Sequence, residues 1–492
     1  MKYFEKILIA KRCEIAIRIK LDCSELDIDT VAIYSDADKD SLFVHYAAEG
    51  VPVGPSPPSK SYLNKERIIS VAKRAGAEAI HPGYGFLAEN AEFARLCEEE
   101  GITFIGPKSK TIAAMGSKIQ SKLTMKKAGV PVLSGTDGGI DDINEAAKVA
   151  DSIGYPVIVK ASAGGGGIGM HIVHDPSEIE LAIEGAMRIA ESAFGDRTVF
   201  IEKYLEKPRH VEVQIFCDEH KNRVHMFERE CSIQRRHQKL IEEAPCPVMT
   251  PELREKMTDS ALRVAETAGY VNAGTVEFLY DNGEHYFMEM NTRLQVEHTI
   301  TELVTGIDIV KEQIMVASGE PLQYAQEDIS LRGHAIECRI NAEDPMNNFS
   351  SDPGKITRYR SPGGPGIRLD SGIHAGFAIP PFYDSMIAKL CAWGMSREYA
   401  IARMKRAIYE YVILGVKTTL PLHHAIMHNP EFISGNTHTH FLQEEHISRT
   451  LKRYIQEEET RMTQLATPLR ADKKVAAITA GLVAVIEQNR KD

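Results

Sequence analysis

The first hundred residues alternate short apolar runs with segments of helical period. Ile7-Leu8-Ile9-Ala10 leads into a helix reaching Ile19, and further apolar runs follow at 30–34, Ala79-Ile80 and 103–106. Such alternation predicts βαβ units on a parallel sheet. Within them Val51-Pro52-Val53-Gly54-Pro55-Ser56-Pro57-Pro58 reads as a loop, because proline supplies no ladder donor. Beyond residue 111 a helix over 117–128 precedes a strand at 155–160, a glycine run from Gly164 to Gly169, and a second strand, His171-Ile172-Val173. A strand-glycine-strand hairpin results. More strands are predicted at 199–202, 210–216 and 275–279, the last paired with 285–290 across Asp281-Asn282-Gly283. After Gly333 the turn signals multiply (Asp352-Pro353-Gly354, Ser361-Pro362-Gly363-Gly364-Pro365-Gly366) and predict a third, strand-richer unit. From about 447 a charged helix-forming run follows, then Pro468. In the final stretch Val475, Ile478, Leu482 and Val485 recur at i, i+3, i+7 and i+10 and mark one apolar helical face.

Composition narrows the class. With 492 residues, 43% hydrophobic and 26% charged, the chain can build two or three packed cores. A net charge of -11 argues against nucleic acid as the main ligand, because that affinity comes from a basic surface. Eight cysteines without C-x-x-C or Cys/His spacing read as reduced intracellular thiols. The apolar run 7–10 is too short for a secretory signal, and 475–486 is too short to span a bilayer. The expectation is a cytoplasmic protein with no membrane partner.

Gly164, Gly166 and Gly169 satisfy G-x-G-x-x-G. A dinucleotide fingerprint must open a helix, however, and Met170-His171-Ile172-Val173-His174 is β-like and ends at Asp175-Pro176. A glycine hairpin can instead lay its N–H groups over a triphosphate, the competing reading being a mobile surface turn. Lys160, at the end of the strand feeding it, and Lys118 suit phosphate oxygens, although most lysines are simply solvated. Glu289 and Asn291 share a strand face, and Glu277 lies on the preceding strand. Parity decides whether these meet: a three-residue loop with Gly283 left-handed puts Glu277 on the face of Glu289, and a two-residue loop puts it on the other. Two carboxylates and an amide oxygen suit Mg²⁺ or Mn²⁺ rather than Zn²⁺. Next to them Arg293 can clamp an oxyanion and Glu297 is a candidate base. The cluster Gln234-Arg235-Arg236-His237-Gln238-Lys239 is a second basic site, with a solvated helix face as the alternative.

Taken in order, His81-Pro82-Gly83-Tyr84-Gly85-Phe86-Leu87, the run from Lys160 to Gly167, Glu202-Lys203-Tyr204-Leu205, Pro208-Arg209-His210-Val211-Glu212-Val213-Gln214, the run from Gln234 to Glu243, Glu289 to His298, and Arg339-Ile340-Asn341-Ala342-Glu343-Asp344-Pro345 resemble biotin carboxylase, an ATP-grasp ligase family, from about Phe4 to about Leu442. The resemblance implies an α/β and α+β chain. It would comprise a Rossmann-like N-terminal domain (1–111), an ATP-grasp domain (112–332, with a glycine-rich lid at about 132–204) and a strand-rich C-terminal domain (333–446), followed by a helical tail (447–492). Lys118 and Lys160 would hold phosphates, Gly166 and Gly167 belong to the lid, and Glu202, Lys203, Tyr204 and Leu205 form the hinge strand meeting adenine. His210, Gln234 and His237 would line the nucleotide pocket, and Glu277, Glu289 and Asn291 would hold two Mg²⁺ or Mn²⁺ ions. In the implied chemistry bicarbonate attacks the γ-phosphate of ATP to give carboxyphosphate, and the carboxyl group passes to N1′ of biotin. Lys239, Arg293 and the Val296 backbone would bind bicarbonate, Glu297 would take its proton, and Arg339 would stabilise the ureido oxyanion.

No Ala-Met-Lys-Met biotin-attachment sequence occurs, so the resemblance implies a separate biotin carrier and carboxyltransferase subunit. Length and tail are similar to A subunits of two-subunit pyruvate carboxylases; acetyl-CoA and propionyl-CoA are alternative acceptors, and a catalytically impaired assembly subunit is the reading from another class. Arg18 matches the family's homodimer-interface arginine, and the tail is expected either to dock on the partner or to pack back on its own core. The family's Ala-Asn-Arg-Gly-Glu-Ile stands here as Ala10-Lys11-Arg12-Cys13-Glu14-Ile15. If the family's glycine is left-handed, Cys13 carries about 1 to 3 kcal/mol of strain. Ser117 replaces an Asp, and Ile168 stands where the lid has a cation.

Overall fold

The structure is a computed structural model that describes residues 3–161, 170–194, 197–443 and 445–466. The N-terminal apolar runs form parallel strands β1 (Lys6–Ile9), β2 (Asp29–Ser35), β3 (Glu49–Gly54), β4 (Ala79–His81) and β5 (Thr103–Phe104), in the order β3-β2-β1-β4-β5. Strand β3 corrects the reading of 51–58 as wholly loop. Pro52 lies in it opposite Tyr34, and the strand is an edge of its sheet, where a missing N–H leaves no neighbour unpaired.

The strand-to-helix turn after β1 delivers Cys13 at φ 63 to the start of the helix Cys13–Glu25. The left-handed geometry expected of the family's glycine is therefore kept with a β-carbon in place. Room for it comes from Gly372, distant in sequence, where a side chain would collide with the Cys13 sulfur at 2.6 Å.

Strands β6 (Val157–Ala161), β7 (His171–Val173) and β8 (Val199–Lys203) form an antiparallel sheet ordered β7-β6-β8. The hairpin register is Val157 opposite Val173, and the glycine run, with Gly166, Gly167 and Ile168, lies outside the described residues. Ser117 caps the helix Lys118–Lys127, its Oγ accepting from the Gln120 N–H at 3.4 Å, so it serves the capping role that an Asp can also fill.

The remaining long strands are β9 (Arg209–Cys217), β10 (Arg223–Arg235), β11 (Gln238–Ala244), β12 (Asn272–Asp281), β13 (Glu284–Asn291) and β14 (His334–Asn341). Short pairings follow, β15 (Glu343–Asp344) with β16 (Ser350–Ser351), and β17 (Arg358–Arg360) with β20 (Val412–Leu414); β18 (Ile367–Ser371) and β19 (Met386–Gly394) lie between them in sequence. The strands after Gly333 do not build a separate main sheet, because β14, β19 and β18 extend the one begun by β9–β13, in the order β13-β12-β9-β10-β11-β14-β19-β18. Strand β9 shows why this sheet positions a site. Val211, Val213 and Ile215 pack with Met257, Ala261 and Val264 of the helix Pro251–Ala268. The alternate residues His210, Glu212 and Gln214 point to the opposite face and are also buried. A polar strand face withdrawn from water needs partners of its own.

The first part of the tail packs on its own chain. In the helix Glu445–Ala466, Ile447 and Leu451 enter the core formed by β14, β19 and the helix Leu420–Met427, and the Tyr454 ring stacks on His424 with centroids 3.4 Å apart. The apolar stretch 475–486 lies outside the described residues. Among the described residues no helix is long and apolar enough to cross a membrane, and all eight cysteines are free thiols.

Cys13→Gly is expected to raise stability by about 1 kcal/mol, because relief of left-handed strain exceeds the added entropy of the unfolded chain. A urea unfolding midpoint that falls would show that Cys13 packing against Gly372 outweighs its backbone cost.

Candidate active site

The hairpin β12–β13 settles the parity question in an unforeseen way. Asp281 pairs with Glu284, so the loop is the two-residue Asn282-Gly283, with φ 49 and 90. Two successive left-handed residues match a type I′ turn. By parity alone Glu277 and Glu289 would then lie on opposite faces, yet they are directly opposed. Met288 is the reason: it is an extra residue between the pairs Phe278/Phe287 and Glu277/Glu289, a β-bulge that shifts the register by one.

The same register continues across the sheet. Arg229 on β10 is opposite Glu212 on β9, Glu212 is opposite Glu277 on β12, and Glu277 is opposite Glu289 on β13. Three carboxylates and one guanidinium therefore form a row across four strands. Arg229 is wholly buried and donates to Glu212 Oε1 at 2.6 Å, Gln214 at 2.8 Å, Thr301 at 2.9 Å and Thr275 at 3.1 Å.

The cluster 234–239 is a β-hairpin, not a helix face. Gln234 pairs with Lys239 around the left-handed residues Arg236 and His237 (φ 49 and 64), which places Lys239 over the carboxylate row. Its Nζ donates to Glu277 Oε1 at 2.8 Å, to Glu297 Oε1 at 2.7 Å and to Glu212 Oε2. Burial by itself would discharge this ammonium, but Glu212, Glu277 and Glu297 together hold its pKa well above the usual lysine value. In return, Glu277 stays low despite burial, held by Lys239 and His210, whose Nε2 lies 3.2 Å from Glu277 Oε2. Glu297 is likewise held well below the ordinary range, against the cost of burial, by Lys239, Arg339 and Arg229.

Arg339 on β14 bridges Glu242 Oε1 at 2.6 Å and Glu297 Oε2 at 2.9 Å. Arg293 spreads its donors over Glu89 at 2.9 Å, the Leu294 carbonyl at 3.1 Å, Gln295 at 2.9 Å and Asn291 Oδ1 at 3.1 Å. Asn291 Nδ2 in turn donates to Glu277 Oε1 at 2.8 Å. The Val296 carbonyl accepts from Lys389, a lysine with no exposed surface, at 3.1 Å.

These groups border a cleft of about 1150 Å³. Lys239, Arg293, Val296 and Arg339 are on its wall with Glu277, Glu289, Asn291, Gln234, His210 and His237, while Glu297 has no exposed surface and sits behind Lys239 and Arg339. At the other end are Lys160, Glu202, Lys203, Tyr204 and Leu205, with apolar Ile158, Met170, Leu279 and Met288. Lys160 donates to Glu202 Oε2 at 2.6 Å, and Lys122 donates to Oε1. Burial would raise Glu202, but the two lysines outweigh it and hold the pKa at about 2. Lys203 is spent on the Gly154 and Tyr155 carbonyls at 3.0 and 2.9 Å. The side chain of Lys118 lies outside the described residues, as do Gly166 and Gly167.

Sequence reasoning missed Glu89, Gln295 as a ligand of Glu277 (3.1 Å), Lys122 and the apolar residues of the far end. Glu89 reaches Arg293 across 204 positions, so no local signal marks it. Lys122 is different: it stands one helical turn after Lys118, and that spacing was available in the sequence. Glu277, Glu289 and Asn291 offer oxygen donors on one sheet face, and His210, Glu212 and Glu277 bring three ligand atoms within 4.8 Å of one another. The oxygen set fits a hard divalent ion, and the Lys239 ammonium already balances charge there.

Family models match three successive segments: "Biotin carboxylase, N-terminal domain" over residues 3–112, "Carbamoyl-phosphate synthase L chain, ATP binding domain" over 117–325, and "Biotin carboxylase C-terminal domain" over 337–444. The chain is 59% identical to the pyruvate carboxylase A subunit of Methanothermobacter thermautotrophicus over 99% of its own length and 100% of that protein. It is 53% identical to biotin carboxylase 1 of Bacillus subtilis over 89% of this chain and 98% of the relative. Among solved structures, the biotin carboxylase domain dimer of Hydrogenobacter thermophilus 2-oxoglutarate carboxylase, in complex with MgADP, ADP and bicarbonate, superposes with a TM-score of 0.84 at 50% identity, covering 91% of this chain and 99% of that one. Sequence relatives, family models and fold coincide over the segment that carries the carboxylate row, and the chain belongs to the biotin carboxylase family of ATP-grasp ligases.

Proposed function

We propose that the chain carboxylates biotin on a separate carrier subunit, using ATP and bicarbonate, in the role of the A subunit of a two-subunit pyruvate carboxylase. The observation that carries the chemistry is the Lys239 ammonium shared by Glu212, Glu277 and Glu297, with Arg339 on the far oxygen of Glu297. The apolar end of the cleft receives adenine beside Tyr204 and Leu205, and Lys160, Lys118 and the lid glycines Gly166 and Gly167 meet the phosphates. Glu277, Glu289 and Asn291 hold Mg²⁺ or Mn²⁺, which when bound neutralises phosphate charge. Lys239, Arg293 and the Val296 backbone orient bicarbonate against the γ-phosphate. Its proton goes to Glu297 Oε1 when Lys239 turns from that oxygen toward the bound anion. Arg339 then faces the ureido oxygen of biotin, whose developing negative charge it offsets. Removing such a preorganised donor typically costs about 2.7 to 4 kcal/mol of barrier.

The acceptor rests on the tail. The archaeal relative named for the A subunit of pyruvate carboxylase aligns along the whole chain, tail included, whereas the Bacillus relative named only as biotin carboxylase is matched almost completely by 89% of it. The tail therefore goes with a dedicated partner. In this reading the domains are 1–111, 112–332 and 333–446 with a partner-directed tail, the protein is cytoplasmic, and it forms a homodimer through the surface that carries Arg18. Arg18 is held ready at that surface by Asp22, Glu302 at 3.3 Å and Asp308 at 2.8 Å.

Glu289→Gln is expected to abolish Mg²⁺-dependent, biotin-stimulated ATP hydrolysis while leaving the unfolding midpoint near that of the wild type; an active variant would overturn the metal assignment. The native complex, purified through this chain, should contain a biotinylated partner and carboxylate pyruvate. Turnover with acetyl-CoA, propionyl-CoA or 2-oxoglutarate in place of pyruvate would reassign the acceptor without touching the biotin half-reaction.

A further inference from the structure

Behind the Arg339 guanidinium the large sheet buries two carboxylates that the proposed mechanism does not use. Glu242 on β11 and Glu337 on β14 are directly opposed in the antiparallel register, and neither has exposed surface. Opposed residues leave the same face with β-carbons about 4.5 to 5.5 Å apart. Each carboxylate is half satisfied. Glu242 Oε1 accepts from Arg339 Nε at 2.6 Å, whereas its Oε2 is buried with no hydrogen-bond partner among the described residues. Glu337 Oε2 accepts from the Thr299 hydroxyl and lies 3.5 Å from the Cys391 sulfur, whereas its Oε1 is likewise without a partner among the described residues. A bare carboxylate oxygen in a dry interior is expensive, and two anions side by side there more so. One proton held by the pair removes the second charge and supplies a donor where the two carboxylates have none.

We propose that Glu242 and Glu337 share a single proton and act as a positioning pair for Arg339, keeping one negative charge rather than two behind the guanidinium so that it stays available to an anion in the cleft. This rests on the reading of Arg339 as the residue that meets biotin. The groups facing the pair fit a net single charge. Arg339 and Lys239 face Glu242; Arg339 and Lys389 face Glu337; Glu297 is the additional anion beside both. The nearby thiols of Cys231, Cys338 and Cys391 and the Tyr84 phenol are all pushed up by burial and stay neutral. Burial, with Glu337 and Glu297 adding to it against Arg339, raises Glu242 to about 8, and burial raises Glu337 as well. A raised carboxyl pKa means that the folded protein keeps the proton below about pH 8 and loses it above. The second negative charge then competes with substrate for Arg339.

Two measurements decide this. Infrared difference spectra of the wild-type protein should show a protonated carboxyl band at pH 7 that disappears by pH 9 and is absent from Glu337→Gln. Carboxylation of free biotin should show kcat/KM for biotin about tenfold lower at pH 9 than at pH 7, as expected of a group titrating near 8, with KM for ATP moving much less. In Glu337→Gln the amide supplies a permanent donor to a Glu242 that is already charged at pH 7, and the alkaline limb near pH 8 should be lost. No carboxyl band at pH 7, or an alkaline limb that stays in place in Glu337→Gln, overturns the proposal. Should that variant not fold, Glu242→Gln offers the reciprocal amide and the same two readouts. The infrared band tests the shared proton by itself, and Arg339→Met, in which KM for biotin must rise, tests the reading on which it depends.

Discussion

Everything in the site depends on burying anions on one face of an antiparallel sheet without leaving them unpaired. The row from Arg229 through Glu212 and Glu277 to Glu289 is set by backbone register, so its charges cannot move apart to relieve one another. Breaking a buried pair by removing one partner costs about 3 to 5 kcal/mol, so Arg229 and Lys239 are structural necessities before they are anything else. Lys239 is the more consequential of the two, because it is the common counterion of three carboxylates and also stands on the cleft wall. Any cation that enters must share those carboxylates with it, and any anion that enters must draw it away from them. The response of the site to either is thus built into one ammonium group.

Much of this was legible in the sequence, and the remainder was hidden for identifiable reasons. Alternation in His210-Val211-Glu212-Val213-Gln214 gives the strand and its two faces. It does not reveal that the polar face is buried, which comes with Arg229 and Lys239 lying over it and tying it to Glu297 and Thr301. Sequence parity brings Glu277 and Glu289 together only across a loop of three residues. The loop has two, and they meet because Met288 bulges, a feature with no signature in a run as ordinary as Phe287-Met288-Glu289. The cluster 234–239 contains neither Gly nor Asn to mark its turn, yet Arg236 and His237 both take positive φ there. Glu89 on Arg293 and Lys389 on the Val296 carbonyl are contacts between segments distant in sequence, the first bringing the N-terminal unit to the segment after β13 and the second bringing β19 of the large sheet to that same segment.

The departures at the N-terminal turn are absorbed by their surroundings rather than by the turn itself. Cys13 keeps the left-handed backbone because Gly372 leaves it space. Lys11 runs over the turn Gly83-Tyr84-Gly85, where a β-carbon on Gly83 would come within 3.1 Å of its chain, and brings its ammonium 4.0 Å from the centre of the Phe86 ring. An aromatic face attracts a cation that has lost part of its water, yet burial still dominates and lowers Lys11 to about 8. The added positive charge at the cleft wall is consequently weaker in alkaline solution than a lysine on the surface would be.

The packed part of the tail constrains how the rest can act. The helix Glu445–Ala466 commits Ile447, Leu451 and Tyr454 inward, and Ile447, Ser448 and Leu451 border the cleft near His440 and Leu442. A helix anchored in this way cannot leave with a partner without opening the wall of the cleft, so on the proposed reading partner binding must use the segment after Ala466 or the outward face. The outward positions Arg449, Lys452 and Arg453 are exposed, and three cations within five residues give that face a charge opposite to that of the chain as a whole. On the proposed reading, the cleft and the face open to a partner lie on opposite sides of one helix.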